Sequence, residues 1–177
     1  TLAANKDIVI DGVRPTITKI NSDSPAAYYK VGDIIKIKIF FSENVETSGA
    51  GIIAATLETG AVNPDYVLTY NTDIDPANTE VEASYTIRLN DFNASLNVNS
   101  IAINNGTVSD VAGNAMVAAG RTIPPGKNLA DEVVDIFVDG VLPVDDGTDI
   151  TMSSKGGNVV ADKYNDTNTS VDFVVSL

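Results

Sequence analysis

Seven oxygen-bearing side chains in this sequence can do chemistry together, and that chemistry is cation coordination. Asp11, Glu43, Asp73, Asp75, Asp110 and Asn114 stand in or beside stretches rich in Gly, Asn, Ser and Pro, the residues of turns. Asp139 repeats the setting of Asp11. Carboxylates and amide carbonyls converging from several loops supply what calcium takes, about six to eight oxygens at about 2.3–2.6 Å. Asp11, Glu43, Asp110 and Asn114 lead this set. A plainer reading competes with it, in which Asp110 and Asn114 make Asx turns and Asp11-Gly12 is an ordinary tight turn. Other chemistries are closed. The chain has no His and no Cys, so Ser-His-Asp and Cys-His machinery, histidine-based metal catalysis and thiolate zinc sites cannot be built. An Asp/Glu pair of the glycosidase kind needs no histidine, but carboxylates spread over loops are commoner than catalytic pairs. No enzyme activity is expected.

Charge narrows the partners. Twenty-four acidic residues against 11 basic ones give a net charge of −13. Phosphate backbones need a basic footprint, so nucleic acid is not expected as a partner. No apolar run reaches the roughly 18–20 residues of a membrane span, and no membrane insertion is expected. The charge suits a soluble extracellular protein or one that collects cations. Trp is absent, which weakens a sugar-stacking role, although six Tyr remain.

The elements that must position these residues are organised by a repeated joint. Ile8-Val9-Ile10-Asp11-Gly12-Val13-Arg14-Pro15 returns as Ile136-Phe137-Val138-Asp139-Gly140-Val141-Leu142-Pro143. Asp11 and Asp139 are 128 positions apart, the size of one β-sandwich domain, and a linker repeated at domain spacing marks a tandem array. Residues 1–12 are then the last strand and linker of a preceding module, or a donated strand. Residues 13–140 are a complete module. Residues 141–177 are the first strands of a following module, or strands that pack on another subunit.

Within 13–140, alternation predicts strands at 16–21, 34–41, 52–57, 66–70, 81–89, 98–108 and 133–138. The clearest is 34–41, with Ile35, Ile37, Ile39 and Phe41 on one face and Lys36 and Lys38 on the other. Residues 22–33 read as a turn-rich corner, 91–94 as a short helical turn, and Asn105-Gly106 as a bulge or turn. The segment 121–126, with Pro124-Pro125, cannot be a central strand. About seven short strands without a convincing amphipathic helix point to an all-β fold, an immunoglobulin-like β-sandwich. Residues 147–153 and 168–177 begin a second strand pair. In such a sandwich the loops after the second, fourth and sixth strands share one end. They carry Glu43, then Asp73 and Asp75, then Asp110 and Asn114, and the incoming linker adds Asp11. Asp139 is expected to serve the following module as Asp11 serves this one.

Four stretches together resemble the bacterial immunoglobulin-like repeats of large surface proteins, such as adhesins, biofilm-associated proteins and surface-layer proteins. They are Tyr29-Lys30-Val31-Gly32-Asp33-Ile34-Ile35-Lys36-Ile37, Phe41-Ser42-Glu43-Asn44-Val45, the run from Asn105 to Asn114, and the Val-Asp-Gly-Val-x-Pro junction. The resemblance spans about residues 13–140. It implies an extracellular, cell-surface spacer or assembly module without catalysis. Three roles follow as expectations: a spacer repeat contacting neighbouring modules of its own chain, a filament subunit that adds a β-strand to identical subunits, or a module that binds surface polysaccharide. For the last, Tyr28-Tyr29 is the candidate stacking pair, against a plain packing role at the corner. Lys36 and Lys38 form either a binding stripe or charges that discourage edge-to-edge pairing.

Overall fold

The computed structural model describes residues 10–70, 78–132, 136–143, 150–159 and 165–175. The chain divides into two units, Thr1–Val141 and Leu142–Leu177. In the first, the strands are β1 (Ile17–Ser22), β2 (Ala27–Lys30), β3 (Ile34–Phe41), β4 (Val45–Glu58), β5 (Tyr66–Tyr70), β6 (Glu80–Thr86), β7 (Phe92–Asn93), β8 (Asn97–Asp110) and β9 (Ile136–Asp139). The second unit holds an antiparallel pair, β10 (Ile150–Lys155) and β11 (Ser170–Val175).

The first unit is an all-β sandwich. One sheet has the order β1-β3-β6 and the other β5-β4-β8, each antiparallel throughout. The period-two pattern of β3 decides which face is buried. Ile35, Ile37 and Ile39 turn inward to meet Ile53, Ala55, Leu57, Leu68 and Val108 of the facing sheet in one core. The opposite face of β3 is solvated, and Lys36 and Lys38 lie there. They form no free stripe: Lys36 Nζ is 2.8 Å from Glu82 Oε1, and Lys38 Nζ is 2.7 Å from Asp23 and 3.2 Å from Glu80. Nor do they guard an edge, because β3 is the middle strand of its sheet.

A third sheet, β2-β9-β7, departs from the sequence expectation. The corner at 22–33 contains β2, which pairs in parallel with β9 over Ala27–Ile136 to Lys30–Asp139. Tyr28 stacks on Phe137 at 4.5 Å yet stays 78% exposed, and the Tyr29 hydroxyl donates to the Pro25 carbonyl at 2.7 Å. The expected helical turn at 91–94 is instead β7, whose Phe92 and Asn93 pair with Asp139 and Val138. Ile136 and Val138 thereby reach the common core. The strand expected at 52–57 starts earlier, at Val45, because the Gly-rich stretch is accommodated by a bulge against β8 between Gly49 and Ile52. Asn105, at φ 57°, lies opposite that bulge. The Pro-containing segment forms a 3-10 turn at Ala118–Arg121 and one helical turn at Leu129–Glu132, not a strand.

Both joints of the first unit are pinned, at opposite ends of β3. Asp139 pairs with Lys30, just before the turn that leads into Ile34. That turn is built by Gly32 at φ 87° and by the Asp33 carboxylate, which accepts the Lys30 N–H at 2.9 Å. Past the other end of β3, the Ser42 N–H donates to the Thr16 carbonyl and the Thr16 N–H to Ser42 Oγ. The length of β3, roughly 25 Å at about 3.3 Å per residue, separates the two. Gly140 is gripped by its neighbours: its N–H donates to the Asp91 carbonyl at 2.7 Å, and its carbonyl accepts the Asn90 N–H at 2.9 Å. A Cβ there would lie 2.3 Å from the Arg88 carbonyl oxygen, so glycine is required.

Candidate cation site at the incoming joint

Three segments build this site. β8 ends at Asp110, opposite Val45 at the start of β4, and this pairing brings the 42–45 turn beside the 110–114 loop. The loop is closed by Gly113 at φ 91°, with the Gly113 N–H on the Asp110 carbonyl. The incoming joint then crosses both. Asn114 Nδ2 donates to the Asp11 carbonyl at 3.1 Å, and Arg14 Nη1 reaches the Ala115 carbonyl at 3.5 Å. Pro15 is buried with its carbonyl over Gly120, where a Cβ would come within 2.9 Å.

Asp11, Glu43 and Asp110 converge there, and one carboxylate oxygen from each lies within 4.8 Å of the others. Asp11 is exposed, Glu43 half-buried and Asp110 only 2% exposed. This group of three carboxylates can hold a metal ion. Asn114 stands beside them in a different role. Its N–H and its Nδ2 both donate to the Asp110 carboxylate at 2.7 Å, so it orients Asp110. Asp139 lies at the other end of the sandwich, where its Oδ1 accepts the Val141 N–H at 3.1 Å. Asp73 and Asp75 fall outside the described residues.

The electrostatics of the three are unequal. Burial, and then the charges of Asp11 and Asp110, push the Glu43 carboxyl above its ordinary value. Burial also pushes Asp110 up, but hydrogen bonds from Asn114, Gly113 and Ala112 outweigh it and hold the group below the usual carboxylate range. Asp110 is therefore a fixed anion, and Glu43 is the member that gains most from a nearby cation. For Glu43 the raised value means that the folded, cation-free protein holds the proton more tightly than the unfolded chain. Its favourable contribution is present below the ordinary glutamate value and is lost as pH rises through the raised one. In chelator, Glu43→Gln is expected to raise the thermal midpoint at pH 7 and to change it little at pH 4. Equal effects at the two pH values would contradict the assignment. Protons also compete with a cation here, so metal affinity is expected to fall as pH drops through the Glu43 transition.

At the opposite end sits a cluster that the sequence does not advertise. Asp91 is fully buried (0% exposed). It accepts the Tyr85 hydroxyl at 2.7 Å, the Arg88 N–H and Nε at 3.0 Å, Arg88 Nη2 at 2.9 Å and Asn63 Nδ2 at 2.8 Å. Burial raises its pKa, but the bonds from Arg88, Asn63 and Tyr85 outweigh this and hold it below the usual range. An Arg and an Asp three apart look like any surface pair, and Asn63 is 28 positions distant. Only the folded chain shows that the three meet.

No family model, no curated protein and no solved structure matches this chain.

Proposed function

We propose that this chain is a non-catalytic structural module, one spacer repeat in a tandem array of immunoglobulin-like modules of a cell-surface adhesin or surface-layer-like protein, with calcium stiffening the joints. One observation carries the reading: the two copies of the joint close the same side-chain-to-backbone hydrogen bond across the Asp-Gly. The Val13 N–H donates to Asp11 Oδ1 at 3.0 Å, and the Val141 N–H donates to Asp139 Oδ1 at 3.1 Å, at opposite ends of one sandwich. A module that enters and leaves through equivalent turns can be strung end to end. Supporting this, Ile10 is 92% exposed, whereas Val138, its counterpart one residue before the Asp-Gly, is 1% exposed between β2 and β7. The sequence before the incoming joint, Ile8-Val9-Ile10, thus matches that of β9, Ile136-Phe137-Val138, and suits such a slot of a neighbour.

Calcium is the cation of choice because the donor group is all oxygen, with neither nitrogen nor sulfur to favour a softer metal. The extracellular address rests on the resemblance to bacterial surface repeats. The exposed Ile10 equally supports a second reading, a filament subunit in which that segment enters the slot of an identical molecule as an added strand. Sugar binding has only the exposed Tyr28 ring, backed by Phe137, behind it. The open reading frame around this chain separates the first two. Further Val-Asp-Gly-Val-x-Pro joints at about 128-residue spacing are expected, the size of one such domain. A single module that forms concentration-dependent polymers would replace the spacer with the filament.

A further inference from the structure

Among the described cations of the sandwich, Arg14, Lys30 and Arg121 have no carboxylate at ion-pair distance; Arg14 and Lys30 are exposed, whereas Arg121 holds a side-chain nitrogen shut off from solvent. Among the described residues Lys19, Lys36, Lys38, Arg88, Lys127 and Lys155 each lie within ion-pair distance of an Asp or Glu. Arg121 has no such partner among the described residues, and its Nε is shut off from solvent without an acceptor among them. Arg121 lines a cavity of about 490 Å3 between β8 and the segment that follows it. Among the described residues no Asp or Glu lines this cavity. Its lining includes the apolar Val98, Ile101 and Ile123 and the hydroxyl-bearing Ser100 and Thr122. The walls are fixed to each other. Asn128 Nδ2 donates to the Val98 carbonyl at 2.8 Å, the Val98 N–H returns to Asn128 Oδ1 at 3.3 Å, and the Ile20 N–H holds the Lys127 carbonyl at 2.9 Å. The volume falls in the range of small-molecule sites, about 300–1,000 Å3.

We infer that this cavity binds a small carboxylate with a partly apolar body. A guanidinium whose Nε bonds nothing gains two parallel charge-assisted bonds when it turns Nε and one terminal nitrogen toward a planar carboxylate. A neutral ligand offers an acceptor but not the charge-assisted, two-bond fork. A phosphate or sulfate calls for more cationic or N–H donors than a single guanidinium. The carbon skeleton of the ligand lies on Val98, Ile101 and Ile123, and any hydroxyls it carries face Ser100 and Thr122. The carboxylate can come from a free aliphatic acid or from a sugar acid, and both offer the same head.

The test is an NMR titration of the full chain with hexanoate and with glucuronate, using hexanol and glucose as neutral controls. A saturable shift at Ser100, Ile101 and Thr122 is expected with at least one acid, at an affinity of about millimolar or tighter. Binding of hexanoate alone identifies an aliphatic acid, and binding of glucuronate identifies a sugar acid. The neutral controls are expected to bind at least about tenfold more weakly, and Arg121→Gln to lose about tenfold or more, as loss of a charge-assisted pair demands. Arg121→Lys keeps the charge and removes the fork; it is expected to weaken binding too, and it carries the test if the Gln variant does not fold. Arg14→Gln is expected to bind like the parent. No saturable shift with either acid, equal binding of the neutral analogues, or full affinity in the Arg121 variants overturns the inference.

Discussion

Calcium is expected to raise the thermal midpoint of this protein by about 10 °C at a free concentration one hundred times its dissociation constant. Binding to the folded state alone adds about 2.7 kcal/mol under that condition. For a domain between the size classes for which the conversion is known, each kcal/mol corresponds to about 3–5 °C. The shift arises because Asp11, Glu43 and Asp110 meet only when the joint is laid across the 42–45 and 110–114 segments. The unfolded chain has no such meeting. Asp110→Asn removes the fixed anion of the group and is expected to abolish the calcium response. Asp139→Asn lies at the other joint and is expected to leave the response intact. Chelator returns the parent to its lower midpoint. Magnesium is expected to do less, because it demands near-ideal octahedral geometry and dehydrates reluctantly. A midpoint that does not move at millimolar calcium removes the cation from the account.

Asp91→Ala is expected to be the most damaging single substitution at the outgoing end, at about 3–5 kcal/mol. The change strands the buried Tyr85 hydroxyl and Arg88 Nε, and takes one acceptor each from Asn63 Nδ2, which keeps the Leu89 carbonyl, and Arg88 Nη2, which keeps the Pro64 carbonyl. Single domains carry only about 5–15 kcal/mol in total, so a large share of the stability goes with it. The effect is local to the joint as well, because Asn90 and Asp91 hold Gly140 through their backbone groups. Asp91→Asn keeps the shape and some of the bonds and is expected to cost less. Urea unfolding monitored by far-UV circular dichroism measures both. The pH dependence has the opposite sign to that of Glu43. Because the folded Asp91 lies below its ordinary value, its contribution is whole above that value and disappears as pH falls through the depressed one. A loss below about 1 kcal/mol for Asp91→Ala, the range of an exposed pair, would mean that the network is solvated in solution.

How much of this was legible in the sequence depends on whether the deciding contact was local. β3 was legible because its alternation is its burial pattern: Ile35, Ile37 and Ile39 are the core. The repeated joint was legible because it is a repeat, and the meeting of Asp11, Glu43 and Asp110 followed from counting strand reversals. β2 and β7 were not legible. They are four and two residues long, and each exists only because β9, far along the chain, pairs with it. The helical turn expected at 91–94 failed for the same reason, as Phe92 and Asn93 are claimed by Asp139 and Val138. The role of Asn114 was half legible. Its place beside Asp110 follows from the turn chemistry, but which end of an amide faces a carboxylate is settled only by the surrounding donors and acceptors.

The claim on which the rest depends is that equivalent joints string sandwiches into a stiff rod. X-ray scattering from a chain in which residues 13–140 occur twice, joined through the native Asp139-Gly140 turn, tests it most directly. In calcium the maximum dimension is expected to grow by about one module diameter, roughly 35 Å for a domain of this length. The scattering should be that of one extended body, and chelator should broaden it into that of two hinged ones. Two modules that fold back on each other, or that scatter identically with and without calcium, would contradict the claim.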